Sequence, residues 1–590
     1  MRRIWRILVT LLALLGLLTI GLGVAAGILA SRLADHHHRP SLPDKIVLDI
    51  DLDRGLDDHP PGDGLARFAR PERPALRDLV ESLERGGTDS RVLGVAVRLG
   101  RAHLALAHVQ ELRDALAQFR AKGKFAMAFA ESLGEFGNAT GETYLAAAFD
   151  EIWLQPSGDV GLTGFQIEMP FFKGTLDKLD ITARVGRRHE YKSAPENFTE
   201  TAMSREMRES LSGLLASWFE QTVSGIAKGR RLAPERVTAL VDEAPFDAEA
   251  ARAVGLVDRL GYRDEFDDGL KDRAKEAERV EAEEYLDQAG RPHAKGRKIA
   301  FIHASGPVVS GSREDGPFGD GKSIAADDIV GALEDAVDDK AVAAILLRID
   351  SPGGSYVASD TIWRAVLRAR AQGKPVVASV GTMAASGGYF IAMAAERIIA
   401  QPASIVGSIG VFAGKPVLDK FWARFGVTWD ETHIGANADL WSPNRDFSPA
   451  AKRKFDATLD RIYADFTAKA GKARHLEGAA LDRAARGRVF TGSQGVAVGL
   501  VDELGGLETA LAALRQAAKI GSEEPVQLVP FPKPKSLIEK LMAAAGRGGL
   551  PFGLEGAARL AALVRPLVDH LEALAPGRPA SLRLPPLEAR

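Results

Sequence analysis

Two short segments of small residues have the composition of a catalytic turn. Asp350–Ser355 reads Asp-Ser-Pro-Gly-Gly-Ser, and Thr382–Tyr389 contains Ser386 followed by two glycines. Each is predicted to join a strand end to a helix start, where backbone N–H groups can bind developing negative charge. Alone, the first is typical of an ordinary turn and Ser386 of a helix cap. Together they predict Ser386 as a nucleophile, with an oxyanion hole made by the N–H groups of Gly354 and Gly387.

A serine nucleophile needs a base, and the sequence offers no convincing Ser-His-Asp set. His189 and His433 are 244 residues apart, at matching positions of two similar halves, which favours a structural role for both. His303 lies in a predicted strand, where a packed histidine is the common case. A lysine can replace histidine if burial removes its charge, but its pKa must then fall by about 3 to act near neutral pH.

No feature of the sequence predicts a metal or an organic cofactor. Residues 316–323 (GPFGDGKS) match the phosphate-loop pattern. That pattern needs a strand directly before it, whereas a polar stretch with two carboxylates stands there, so we interpret these residues as a glycine-rich loop. The three histidines 36–38 cannot converge on one ion from a short polar linker. The absence of cysteine excludes a thiol nucleophile and disulfides. With 76 basic against 79 acidic side chains, the chain lacks the broad positive charge of a nucleic-acid binder.

The elements that must position these residues come from a tandem duplication. Phe149–Pro156 (FDEIWLQP) aligns with Ala395–Pro402 (AERIIAQP) at an offset of 246 residues. Gly255–Asp258 matches Gly499–Asp502, both reading GLVD, at an offset of 244. A period of this length far exceeds the roughly 20–50 residues of solenoid repeats. The chain therefore contains two domains of one fold.

Within each half, short apolar runs alternate with helical stretches, which predicts an α/β fold with mostly parallel sheet. In the second half the predicted strands are Lys298–His303, Val342–Ile349, Pro375–Val380 and Arg397–Ala400, and the helices lie near 327–337, 359–372 and 386–395. The apolar run AAILLRI at 343–349 is typical of a strand buried on both faces.

The first 30 residues predict a membrane anchor. Ile7–Ala30 contains 24 residues without a charge, enough to span a bilayer and longer than a typical signal-peptide core, although a cleaved signal is the alternative. Arg2, Arg3 and Arg6 precede it, which predicts a cytoplasmic N-terminus. Everything after about Ser31 is then expected across the membrane, in the periplasm of a Gram-negative bacterium.

The predicted organisation has seven segments: a cytoplasmic tip at 1–6, a transmembrane anchor at 7–30, a linker at 31–43, the first repeat at 44–268, a charged helical connector at 269–295, the second repeat at 296–519, and a Pro/Gly-punctuated tail at 520–590. The tail carries two apolar stretches, Ser536–Ala545 and Leu554–Leu574. Either could be an amphipathic helix on the membrane or on a neighbouring subunit, or a helix covering the chain's own core.

Three motifs in one order resemble a known family. They are IDSPGGS at 349–355, MAASGGYFIA at 383–392 and PASIVGSIGVF at 402–412. Together they resemble the signal peptide peptidase A family, also called protease IV, in its long duplicated form. The resemblance covers nearly the whole chain and implies two ClpP/crotonase-like ββα-spiral domains.

The resemblance also implies roles for individual residues. The nucleophile maps onto Ser386 in the second repeat. The general base maps onto Lys192, within Glu190-Tyr191-Lys192-Ser193-Ala194 of the first repeat. A serine that holds the lysine amine maps onto Ser408.

A comparison of the two halves supports this division independently. At an offset of 246, Ser386 corresponds to Thr140, so the first repeat lacks the nucleophile. At an offset of 244, Lys192 corresponds to Ala436, so the second repeat lacks the base. Each half keeps what the other has lost, whereas a lysine considered alone is most often a solvated surface residue.

The sequence therefore predicts a membrane-anchored serine endopeptidase with a Ser/Lys dyad and no cofactor. The resemblance implies cleaved signal peptides as substrates, an inner-membrane location and a homo-oligomer, with a tetramer suggested. Membrane lipid is the expected partner of the anchor, and nucleic acid is not an expected partner. Two alternatives remain open, namely a crotonase-like acyl-CoA enzyme, whose paired N–H groups would stabilise a thioester enolate, and a catalytically inactive membrane scaffold.

Overall fold

The computed structural model of the 590-residue chain describes residues 41–58, 73–100, 104–312 and 323–533. The predicted anchor, the histidine run, most of the phosphate-loop match and both apolar stretches of the tail lie outside these residues. Among the described residues, no helix combines the length and the apolar character needed to cross a bilayer.

The first half is built around a parallel sheet of six described strands. In chain order its elements are β1 (Ile46–Asp51), α1 (Leu76–Thr88), β2 (Val92–Leu99), α2 (Leu106–Ala121), β3 (Phe125–Ala130), α3 (Thr140–Ala146), β4 (Glu151–Leu154), β5 (Asp159–Val160), α4 (Lys173–Lys178), β6 (Thr182–Arg188), α5 (Glu196–Thr199), α6 (Arg205–Arg230), α7 (Pro234–Glu243), β7 (Phe246–Asp247), α8 (Ala248–Ala253), β8 (Arg259–Leu260), α9 (Arg263–Arg273), β9 (Glu278–Glu281) and α10 (Ala282–Ala289). The strands of the sheet follow the order β8-β4-β3-β2-β1-β9.

The second half contains an eight-stranded sheet among the described residues. In chain order its elements are β10 (Arg297–Ser305), β11 (Val308–Val309), β12 (Ile324–Ala325), α11 (Ala326–Asp338), β13 (Val342–Ser351), α12 (Tyr356–Ala371), β14 (Val376–Ala385), α13 (Gly387–Ala392), β15 (Arg397–Ala400), β16 (Ile405–Gly407), β17 (Val411–Val417), α14 (Asp419–Arg424), α15 (Pro449–Arg474), α16 (Gly478–Ala484), β18 (Val489–Thr491), α17 (Gly492–Ala497), β19 (Glu503–Leu504), α18 (Leu507–Ala517) and β20 (Val526–Phe531).

The two sheets share one topology. Six strands of the second sheet follow the order β19-β15-β14-β13-β10-β20, which repeats the order of the first sheet strand for strand. The second sheet adds β16 and β18, which branch from β14. The duplication inferred from the sequence is therefore also visible in the topology.

Each sheet extends past the predicted end of its domain. The charged stretch 269–295, predicted as a helical connector, contains β9, and the tail predicted to begin at residue 520 contains β20. Both strands pair with the first strand of their own sheet. Strand β9 was not predicted because it is an edge strand whose side chains are charged and exposed, except for the buried Val280.

The four predicted strands of the second half all form, as β10, β13, β14 and β15, and the three helices form as α11, α12 and α13. The central strand β13 is buried on both faces, as its composition predicts. Ile345, Leu347 and Ile349 pack into one hydrophobic cluster. Ala344 and Leu346 point the other way and pack with α18 into a second cluster. The strand that leads to the Asp350–Ser355 turn is thus held rigidly.

A small sheet links the halves. Strand β6 of the first half pairs antiparallel with β17 of the second over seven residues, from Val411↔Arg188 to Val417↔Thr182. Gly186 on β6 lies against Phe455 and Leu459 of α15, where a side chain would collide. This pairing carries the segment after β6 into the second half.

Candidate active site

Ser386 lies between the end of β14 and the start of α13. Its backbone is held at φ 53° and ψ −116°, a conformation that costs free energy for a residue with a side chain and is common at functional sites. Its N–H donates to the Gly407 carbonyl at 2.8 Å. The side chain makes no capping hydrogen bond to α13, so Ser386 does not serve as the helix cap that its position also suggested.

The Lys192 amine reaches this hydroxyl from the other half of the chain. Lys192 Nζ lies 2.9 Å from Ser386 Oγ, although the two residues are 194 positions apart. Only 3% of Lys192 is exposed. Burial in this site lowers its pKa to about 7, because an ammonium loses its hydration there.

Ser408 supplies the remaining partners of the amine. Lys192 Nζ lies 2.9 Å from the Ser408 carbonyl oxygen and 3.0 Å from Ser408 Oγ. Ser408 also has a left-handed backbone, at φ 54°, and its N–H donates to the Arg488 carbonyl at 2.8 Å. The structure thus brings Ser386, Lys192 and Ser408 together.

The two glycine turns also meet beside Ser386. A Cβ on Gly387 would lie 3.0 Å from the Gly354 nitrogen, and a Cβ on Gly353 would lie 2.7 Å from both the Gly387 nitrogen and Ser386 Cβ. Gly353 and Gly354 have φ of 102° and 154°, which disfavours any other residue. The absence of side chains at these glycines lets the two turns pack directly against each other beside Ser386.

Asp350 ties these turns together, a role that the sequence reasoning missed. Its Oδ1 accepts hydrogen bonds from Thr382 Oγ1 at 2.5 Å and from the Met383 N–H at 3.2 Å. A carboxylate at the end of one strand thereby fixes the end of the next. The only available signal was an acidic residue directly after an apolar strand, which is too common to assign.

Two glycines leave room for the lysine side chain. A Cβ on Gly410 would lie 3.2 Å from Lys192 Cδ and 2.7 Å from the Arg188 carbonyl oxygen. A Cβ on Gly487 would lie 2.5 Å from the Lys192 nitrogen. Both glycines belong to the second half, so Lys192 of the first half packs against the backbone of the second.

The three histidines considered as bases have other surroundings. His303 Nε2 lies 2.8 Å from Asp58 Oδ2, in an ionic cluster around Arg348. The His189 ring packs edge-on against Tyr463, with 4.5 Å between ring centroids. His433 is partly exposed beside Glu431. Among the described residues, no group of three or more His, Cys, Asp or Glu side chains is arranged to hold a metal ion.

The family model of Peptidase family S49 matches residues 119–277 and 368–521, one region in each half. The chain belongs to peptidase family S49. It is a serine peptidase, as the three motifs predicted.

Named relatives of this S49 peptidase agree with that assignment. "Serine protease SPPA, chloroplastic" from Arabidopsis thaliana is 30% identical over 482 residues, covering 80% of this chain and 70% of the relative. "Protease 4" from Salmonella typhi is 31% identical over 464 residues, covering 76% and 73%. "Putative signal peptide peptidase SppA" from Enterococcus faecium is 31% identical over 188 residues, covering 32% and 55%.

A solved structure, a single-residue mutant of ClpP1 from Listeria monocytogenes, aligns with 36% of this S49 peptidase and 94% of that chain at 14% identity. Its TM-score of 0.23 is too low to assign a fold. The ββα-spiral description therefore stays a prediction.

Proposed function

We propose that the protein is a membrane-anchored serine endopeptidase in which Ser386 is the nucleophile and Lys192 the general base. The observation that carries the proposal is the 2.9 Å separation of Lys192 Nζ and Ser386 Oγ in a buried site. The partners of this buried amine in the described part of the chain are hydroxyl and carbonyl oxygens rather than carboxylates, so it is poised to accept a proton, and a hydroxyl is within its reach.

The three neighbours of the amine suit this role. A neutral amine has two N–H bonds and one lone pair. The carbonyl oxygen and Oγ of Ser408 can accept the two N–H bonds. The lone pair then faces the Ser386 hydroxyl, which donates its proton to the nitrogen. Ser408 is thus proposed as the residue that orients the lysine.

The proposed reaction follows from this arrangement. As Lys192 takes the proton, Ser386 Oγ attacks the peptide carbonyl carbon, and the carbonyl oxygen becomes an oxyanion. The N–H groups of Gly354 and Gly387 donate to that oxyanion, each contributing about 3–4 kcal/mol to the transition state. Lys192 then gives its proton to the amine as the peptide C–N bond breaks, which leaves an acyl-enzyme. Lys192 next takes a proton from water, which attacks the acyl carbon, and returns it to Ser386 Oγ as the ester C–O bond breaks.

We infer that the substrates are cleaved signal peptides. Such apolar fragments stay in or near the bilayer, where an enzyme anchored through residues 7–30 would meet them. The relative named as a putative signal peptide peptidase supports this substrate class. The same reasoning proposes a bacterial inner-membrane protein with a cytoplasmic N-terminus and periplasmic domains, assembled as a homo-oligomer, with a tetramer suggested.

Cleavage of casein and of a synthetic signal peptide tests the proposal. Ser386→Ala and Lys192→Ala are both expected to be inactive, and a serine-directed acylating probe should label Ser386 in the wild type but not in Lys192→Ala. Wild-type cleavage by both variants would overturn the dyad. A crotonase-like enzyme would instead tolerate Ser386→Ala and turn over an acyl-CoA.

A further inference from the structure

A tripeptide of the second half contacts the loop that carries Lys192. Arg486, Gly487 and Arg488 lie between α16 and β18, and we call them the RGR segment. All three contact the loop at 189–192, which follows β6 of the first half.

Arg486 binds the residue two positions before the lysine. Its Nε donates to Glu190 Oε1 at 2.7 Å and its Nη2 to Glu190 Oε2 at 3.0 Å, a two-pronged ion pair. Its Nη1 also donates to Asp482, at 3.1 Å. The guanidinium holds the pKa of the Glu190 carboxyl below its usual value. Such a pair fixes orientation as well as distance.

Arg488 binds the residue directly before the lysine. Its guanidinium carbon lies 4.1 Å from the centre of the Tyr191 ring, a cation–π contact. It also donates to Glu209 of α6, whose other oxygen accepts from the Tyr191 hydroxyl at 3.1 Å. Tyr191 is therefore held from its face and from its hydroxyl.

Gly487 brings the backbone of the RGR segment against the lysine itself. A Cβ there would lie 2.7 Å from Lys192 Cα and 2.7 Å from Lys192 Cβ, and the φ of 87° favours glycine. The Gly487 N–H donates to the Ile409 carbonyl at 2.8 Å, and the Arg488 carbonyl accepts from the Ser408 N–H. The segment thus contacts Lys192 on one side and the turn that holds Ser408 on the other.

We propose that the RGR segment is a positioning clip that docks the base of one half against the nucleophile of the other. Arg486, Gly487 and Arg488 do not touch the reacting atoms and act through Lys192. The inference rests on the proposed dyad and adds the element that brings its two members into register. It also gives a role to an Arg-Gly-Arg sequence whose two arginines are only partly exposed.

The arginines of the clip also form ion pairs with carboxylates around the Lys192 loop. The charged groups packed around the loop are Glu190, Glu209, Asp482, Arg486, Arg488 and, on the far side, Arg188 with Asp456 and Asp460. The titratable rings of His189 and Tyr463 pack against each other beside them. Each carboxylate in this set is paired with an arginine. An unpaired Glu190 would favour the ammonium form of Lys192, because opposite charges attract.

A double-mutant cycle in the full chain tests the clip, using Glu190→Gln, Arg486→Gln and the double variant. We expect each single change to lower kcat/KM for a short peptide by between about tenfold and about a hundredfold, mainly through kcat, because the base is misplaced. The double variant should be no slower than the slower single one, since both break the same contact.

The pH profile of kcat/KM distinguishes a misplaced Lys192 from a general loss of structure. In Arg486→Gln the acidic limb of kcat/KM should move to higher pH, because Glu190 is left unpaired. In Glu190→Gln the carboxylate itself is removed, so the acidic limb of kcat/KM should move less than in Arg486→Gln. Gly487→Ala should slow acylation more than either, and the melting temperature of each variant reports whether it is folded.

Arg368→Gln is the matched control, because Arg368 forms an exposed ion pair with Glu334 at 3.1 Å, between α12 and α11. It should retain wild-type activity. If Glu190→Gln and Arg486→Gln behave like Arg368→Gln, or if their effects simply add, the clip is wrong while an inactive Lys192→Ala still supports the dyad. If Lys192→Ala cleaves at the wild-type rate, the dyad fails and the clip fails with it.

Discussion

The two halves of the chain use the same turn for different purposes. In the second half, Ser386 sits at a left-handed backbone position and its hydroxyl faces Lys192. In the first half, Thr140 is the first residue of α3, and its hydroxyl is engaged by Asn138 and by the backbone of Gly164. It donates toward Asn138 Oδ1 at 2.7 Å or the Gly164 carbonyl at 3.0 Å and accepts from the Gly164 N–H at 2.9 Å.

The surroundings of Lys192 and of its counterpart in the other half differ in the same way. Lys192 is buried and surrounded by hydrogen-bond acceptors. Its counterpart Ala436 lies in an exposed turn. One fold thus supports either a hydroxyl whose hydrogen bonds are made within its own half or a hydroxyl that faces a buried amine of the other half.

The largest expected effect separates the two hydroxyls. Ser386→Ala should lower kcat/KM at least about 10⁴-fold with little change in melting temperature. Thr140→Ala should leave kcat/KM within about twofold but destabilise the fold by about 1–3 kcal/mol, because the buried Gly164 N–H loses its acceptor. Peptide cleavage and thermal denaturation of both variants check this. Equal losses of activity would show that the halves are not functionally distinct.

A second comparison concerns the cost of burying the base. The folded pKa of Lys192 lies below its unfolded value, so the unfolded chain binds more protons between about pH 7 and pH 10.5, and stability is lost as pH falls through that window. Lys192→Met should therefore abolish cleavage yet stabilise the fold at pH 7.5, by on the order of 3 kcal/mol. Denaturant unfolding at pH 7.5 and pH 10 measures this.

Ala436→Lys is the control for that experiment, because the site is exposed and the added lysine keeps its hydration. Its stability should change by less than about 0.5 kcal/mol at either pH. If Lys192→Met destabilised the protein equally at pH 7.5 and pH 10, burial of the lysine would carry no pH-dependent cost, and the lowered pKa would be contradicted.

The pH dependence of the reaction follows from the same pKa. The base must be neutral, so kcat/KM should fall on the acidic side with a midpoint near pH 7 and decrease about tenfold for each further pH unit. Steady-state rates between about pH 5.5 and about pH 9 give this limb. A midpoint near the usual lysine value would argue against a buried base.

The smallest effect concerns the tie between the glycine turns. Thr382→Val keeps the shape of the side chain but removes the hydrogen bond to Asp350, so the turns should lose some of their alignment. We expect kcat to fall about three- to tenfold. Phe136→Ala, on the loop before α3, changes a side chain that is 98% exposed and should have no effect. Identical kinetics for both variants would remove Asp350 from the account of the site.

Much of the framework could be predicted from the sequence, because its signals are local. Apolar runs such as 343–349 predicted the strands, and Ser386 with its glycines predicted a reactive turn. The edge strand β9 was not predicted because its side chains are charged and exposed except for Val280. Strand β20 was not predicted although Val526, Leu528 and Phe531 are buried, because the prolines within and beside it are typical of a non-strand tail. Lys192 could be proposed only from a motif and from the complementary losses, since its burial depends on β6 pairing with a strand more than 220 residues away.

The RGR segment gave no signal, because arginine and glycine in a polar stretch usually indicate a solvated turn. Its meaning depends on Glu190 and Tyr191, which are nearly 300 positions earlier in the chain. Contacts of this kind appear only when the fold is known.

The pairing of β6 with β17 has a consequence for biosynthesis. Ribosomes make the first half before the second, so a nascent chain displays its amine long before any matching hydroxyl exists. With Ser386 and Lys192 as the proposed dyad, peptide cleavage is expected only after the second half has been made and β17 has paired with β6. A truncated product that ends at residue 385 would lack the proposed nucleophile, and we expect it to be inactive.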